Sequence, residues 1–98
     1  MDVHFSGDDW WRLEQIADFN GGYPPEAVRG FRKVMQIIRA ALDERDLYAM
    51  RSLHFEKLKG KRSHQHSLRL NKQWRLVVEI SEGKPKNTIS IIGIEDYH

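Results

Sequence analysis

Cysteine is absent from the 98 residues of the chain. That excludes a disulfide framework, thiol catalysis and cysteine-ligated zinc, and it suits a reducing compartment. No apolar run approaches the roughly 20 residues that a membrane helix requires. The opening MDVHFSGDDWW has no basic segment leading into an apolar one, so neither a leader nor a membrane contact is expected, and a cytoplasmic location is. Internal repeats and a visible domain boundary are missing too. Residues 1–98 are therefore expected to form a single domain, close to the size at which one apolar core suffices without staples.

Acid is nearly absent from residues 51–75. Eight basic side chains (Arg51, Lys57, Lys59, Lys61, Arg62, Arg69, Lys72 and Arg75) stand there against Glu56 alone, a net charge of +7. The remaining residues carry eight basic and thirteen acidic groups, a net of −5, so the formal total of +2 conceals a strong asymmetry. Self-repulsion of that kind is tolerated where a polyanion neutralises it, which points to phosphate contacts. The plainer reading is a solvated basic surface that keeps the domain dispersed.

Periodicity divides the chain into a helical half and a strand half. MDVHFS alternates Val3 and Phe5 with polar neighbours, as a short edge strand does. DDWWRLEQIADFNGG opens on acids, repeats Trp10, Leu13 and Ile16 at helical spacing, and closes on a glycine stop, predicting a first helix. PPEAVRGFRKVMQIIRAALDERD places Val28, Phe31, Met35, Ile38 and Leu42 on one face behind a proline start and predicts a second. The period then falls to two. In HSLRLNKQWRLVVEI, Leu68 and Leu70 alternate with Arg69, and Trp74, Leu76 and Val78 with Arg75 and Val77, a hairpin turning at Asn71-Lys72. TISIIGI is a further strand running into EDYH. These elements predict an α+β fold of two N-terminal helices packed on a small antiparallel sheet, with Arg69 and Arg75 sharing the open face. His64 and His66 flank Gln65, but two histidines without an organised third ligand make no metal site, and no cofactor is expected.

FEKLKGKRSHQHSLRLNKQWRLVVEI followed by the ending DYH resembles the HigB branch of the RelE toxin superfamily, bacterial ribonucleases that act with the ribosome on messenger RNA. The resemblance lies in the Leu58-Lys59-Gly60 turn, the strand Leu68-Arg69-Leu70-Asn71, the strand Trp74-Arg75-Leu76, and the ending Asp96-Tyr97-His98. It implies a RelE-like α+β toxin, an mRNA interferase that needs no metal, neutralised by a separately encoded HigA-like helix-turn-helix antitoxin. Some HigB-like sequences carry histidine two residues before the leucine of that turn, where this chain has Glu56 and its nearest histidine is His54.

RNA cleavage without a metal uses the ribose 2′-hydroxyl as internal nucleophile. The protein must take that proton, stabilise charge on the phosphorane oxygens and protonate the leaving 5′-oxygen. The resemblance assigns the first task to Glu56, with His54 competing, and the second to Arg75. Lys57, Lys59, Lys61, Arg62 and Arg69 are expected along the phosphate backbone. His98 is the expected general acid, because an imidazole titrates near about 6.5. Tyr97 would stack on a base or position the phosphate, and Asp96 would fix the tail or contact the RNA. The alternative of a different class is a non-catalytic RNA-binding, ribosome-binding or protein-interaction module that uses the same basic face without chemistry.

Overall fold

Local chemistry sets the element boundaries in the computed structural model, which describes residues 1–96. Helix α1 spans Asp8–Gln15, with Asp8 and Asp9 in the first turn, where the exposed amides favour negative charge. It stops well short of the Asn20-Gly21-Gly22 end that its sequence predicts. The reason is Arg32, whose Nε donates to the Leu13 carbonyl at 2.9 Å and whose Nη2 donates to the carbonyls of Ile16, Ala17 and Phe19 at 2.9, 3.2 and 3.2 Å. A side chain from the next helix thus satisfies acceptors that further helical turns would have used.

Helix α2, Pro25–Ala40, begins with proline at its first position and buries Ala27, Val28, Phe31, Val34, Met35 and Ile38. The helical pattern expected to continue to residue 46 breaks at Ala41, which is extended, with φ −70° and ψ 143°. The Met1 amino group donates to the Ala41 carbonyl, and the Asp43 carboxylate accepts from the Arg45 amide at 2.9 Å to start a short third helix, α3, Glu44–Ala49.

The strands are β1 (Asp2–Phe5), β2 (Glu56–Lys57), β3 (His66–Arg69), β4 (Trp74–Ser81) and β5 (Thr88–Asp96), in the spatial order β1-β5-β4-β3-β2. The α+β expectation holds. One correction concerns the sheet, which is mixed: β1 runs parallel to β5, with Val3 opposite Ile89, while β2, β3, β4 and β5 pair antiparallel. A strand that leaves through helices before the chain returns beside it at the sheet edge is free to pair in parallel.

The helices cover the sheet face that carries Leu68, Leu76, Val78, Ile89, Ile91 and Ile94, forming one apolar core with Phe31, Met35, Ile38 and Leu47. Trp10 joins it through Tyr23 and Phe31, with ring centroids 6.2 and 6.3 Å apart, whereas its neighbour Trp11, turned away around α1, is 42% exposed. At Gly30 helix α2 touches the β3–β4 connection so closely that a Cβ there would lie 2.6 Å from the Leu70 carbonyl oxygen. This contact fixes the hairpin that carries the basic strand residues against the helical layer.

Candidate functional site

Side chains on the sheet face away from the helices are set by strand register. Arg69 and Arg75 are opposite one another across β3 and β4, Ser67 is opposite Val77, and Glu56 on β2 is opposite Ser67. Alternation therefore gives Glu56, Ser67, Arg69 and Arg75 a common face, as the sequence predicts for the two arginines. They line a cleft of about 280 Å³ together with His54, Asn71, Lys72 and Trp74.

Two backbone devices shape that cleft. His54 follows a 3-10 turn at Arg51–Leu53 and adopts a left-handed conformation, φ 46° and ψ 46°, unusual for a residue with a side chain. Its Nε2 lies 3.3 Å from Arg69 Nη1. A guanidinium only donates, so Nε2 is the acceptor in this contact. The connection between β3 and β4 is longer than the two-residue turn expected at Asn71-Lys72, occupying residues 70–73. Asn71 Oδ1 accepts from the amides of Gln73 and Trp74 at 2.9 and 2.8 Å, which pins the connection beside the cleft.

A roof covers part of the same face. Val77 points away from the helices with Arg75, as alternation requires, yet it is fully buried. The β2–β3 connection arches over it: Arg62 reaches Glu95 on β5, with Nη1 and Nη2 donating to the two carboxylate oxygens at 3.0 and 2.6 Å, and Gln65 Nε2 donates to Glu79 at 3.4 Å. The ion pair holds the Glu95 carboxyl below its usual range, chiefly through the hydrogen bonds from Arg62, with the charges of Arg62 and Arg75 adding to it.

A sequence model of the HigB-like toxins, described as a RelE-like toxin of the type II toxin-antitoxin system HigB, matches residues 3–93. The chain belongs to the HigB-like toxin family. No curated protein matches the sequence. Among solved structures the fold is similar to that of a YoeB/ParE toxin from Agrobacterium tumefaciens, with a TM-score of 0.61 and 18% identity over 100% of both chains. Membership of a type II toxin-antitoxin family implies an antitoxin as partner. No helix among the described residues is long and apolar enough to cross a membrane.

Of the residues that the sequence nominates in this HigB-like toxin, Glu56, His54, Arg69 and Arg75 come together at the cleft. Arg62 does not line it and is engaged with Glu95 instead. Lys57 pairs opposite His66, so its parity along β2 is the reverse of that of Glu56, and Lys59 and Lys61 are exposed around the 3-10 turn at Gly60–Arg62, outside the cleft lining. Asp96 at the end of β5 accepts from Gln73 Nε2 at 3.0 Å, tying the last strand to the β3–β4 connection. Tyr97 and His98 lie outside the described residues. His64 and His66 separate: His64 Nε2 is 3.8 Å from Glu79, while the His66 ring stacks on Phe55 with centroids 4.9 Å apart. Burial, with a smaller contribution from the Lys57 charge, pushes the His66 pKa down.

Glu95 is the residue that sequence reasoning passed over. It alternates with Ile94 on β5, but only the β4–β5 register, which sets Glu95 opposite Arg75, brings it to the arginines.

Proposed function

We propose that this HigB-like toxin is a ribosome-dependent endoribonuclease, an mRNA interferase, whose whole chain acts as a single toxin domain in the cytoplasm. The observation that carries the reading is the convergence of a loop histidine, an edge-strand carboxylate and two strand guanidiniums, His54, Glu56, Arg69 and Arg75, on one cleft.

Their chemistry matches what in-line attack by a 2′-hydroxyl demands. Glu56 takes the 2′-hydroxyl proton. His54 is the weaker candidate for that role because its Nε2 lone pair already accepts from Arg69. Arg75 and Arg69 hold the phosphate oxygens as negative charge grows on the phosphorane, an arrangement that a preorganised pair of guanidiniums stabilises. His98 protonates the leaving 5′-oxygen and Tyr97 stacks on or positions the nucleotide, both roles being carried by the family resemblance. Lys57, Lys59 and Lys61 lead the RNA backbone toward the cleft, and Asp96 fixes the approach of the tail. The ribosome presents the message, and a HigA-like helix-turn-helix antitoxin neutralises the toxin between encounters.

Purified protein incubated with messenger RNA on programmed ribosomes tests this directly. The expected result is cleavage within the translated frame, reduced by roughly 10² on substituting Glu56→Gln, Arg75→Ala or His98→Gln, the scale of losing a general acid, a base or one charge-stabilising contact. Binding without any cleavage by the wild-type protein would establish the non-catalytic alternative.

A further inference from the structure

Arg62 belongs by sequence to the basic segment, yet its guanidinium is committed elsewhere. It crosses β3 and β4 to reach Glu95, forms two parallel bonds at 3.0 and 2.6 Å, and donates through Nε to Gln65 Oε1 at 2.9 Å. The same carboxylate also meets Arg75, whose Nη2 stands 3.5 Å from Glu95 Oε1, the oxygen that accepts from Arg62 Nη1. Backbone register sets this approach, since Glu95 and Arg75 are direct partners across β4 and β5. Of the three, only Arg75 lines the cleft.

An arginine side chain has many rotamers, and a carboxylate fixed beside it selects those that keep one edge of the fork against the anion. A bidentate partner behind that carboxylate holds it still. We propose that Glu95, clamped by Arg62, is a positioning residue that orients the Arg75 guanidinium toward the RNA phosphate. The inference deepens the nuclease reading above and rests on it. It also removes Arg62 from the set of RNA contacts: its charge is spent on Glu95, and its contribution reaches the reaction only through Arg75.

Glu95→Gln keeps the shape of the side chain and removes its charge. The saturating single-turnover rate on programmed ribosomes should fall on the order of tenfold, as expected for a misaligned contact to the transferring group. The Kd for an uncleavable, 2′-deoxy-substituted oligonucleotide should stay the same or tighten, because an anion near the phosphate has been neutralised. A folding defect would instead weaken both. In an Arg75→Ala background the Glu95→Gln substitution should cause no further loss, since the residue through which it acts is gone. An unchanged saturating rate, or a full tenfold loss persisting without Arg75, overturns the proposal. If the wild-type protein cuts no RNA, the nuclease reading fails by itself. The positioning claim is then decided by NMR relaxation of the Arg75 Nε–Hε group, which should lose order in Glu95→Gln. Unaltered order there refutes it.

Discussion

Replacing Gly30 by alanine sets two physical effects against each other, and the structure decides between them. Gly30 lies in the interior of α2, where helix propensity alone favours alanine by roughly 1 kcal/mol. The added Cβ, however, would stand 2.6 Å from the Leu70 carbonyl oxygen and 3.0 Å from both the Leu70 carbonyl carbon and Cβ. These are backbone and near-backbone atoms, so no flexible side-chain end can swing aside. The hairpin must retreat from the helix by about 0.4 Å merely to restore the shortest contact to 3.0 Å. Overpacking costs about 1–3 kcal/mol, and a contact this short against backbone belongs to the upper part of that range, about 2–3 kcal/mol, of which the propensity gain offsets about 1 kcal/mol. The expected outcome is a net destabilisation of about 1–2 kcal/mol, which for a domain of this size lowers Tm by roughly 4–16 °C. Urea unfolding followed by tryptophan fluorescence measures the free energy. Chemical shifts of Leu70, Asn71 and Trp74 should move in the same variant, because the displaced connection carries them. A Gly30→Ala protein as stable as the wild type, or more stable, would show that the helix and hairpin are not in the contact described.

Three further outcomes follow from side chains outside the cleft. Arg32→Ala removes the donor that serves four carbonyls at the end of α1 and should cost roughly 2–3 kcal/mol in chemical denaturation, with faster amide exchange around residues 13–19; an effect below about 0.5 kcal/mol would contradict the clamp. Glu14, held below its ordinary pKa of 4.5 by hydrogen bonds from Arg39 at 2.5 and 2.7 Å, contributes stability that is complete above that value and is lost as pH falls through the depressed folded value. The stability gap between wild type and Glu14→Gln should therefore close in acid, and a gap independent of pH would refute the pairing. His66 has the same sign for a different reason: burial favours its neutral ring, so the folded state loses stability as pH drops below the ordinary 6.5, and His66→Gln should flatten that part of the urea-midpoint profile.

The α+β class, the paired arginines and the basic cleft were legible in the sequence because each rests on local periodicity. Alternation through Leu68-Arg69-Leu70 and Trp74-Arg75-Leu76 needs only a buried face to send both arginines to the other side, and the register bears this out. The spacing in α2 marked its buried residues for the same reason. Helix ends were less legible: α1 stops where Arg32 from another helix takes its carbonyls, and the pattern after Ala40 breaks where the N-terminal amine meets Ala41.

Long-range pairings had no local signal. The parallel placement of β1 beside β5, the roof over Val77, and the Arg62–Glu95–Arg75 chain join residues as far as 86 positions apart, through register and loop reach alone. By itself the sequence determined which side chains could be buried, which face would be basic, and which groups had the chemistry for phosphate. Tertiary structure decided which of those cations meets the cleft and which meets a carboxylate, because charge neutralisation depends on distances that only strand order and register bring within a few ångströms.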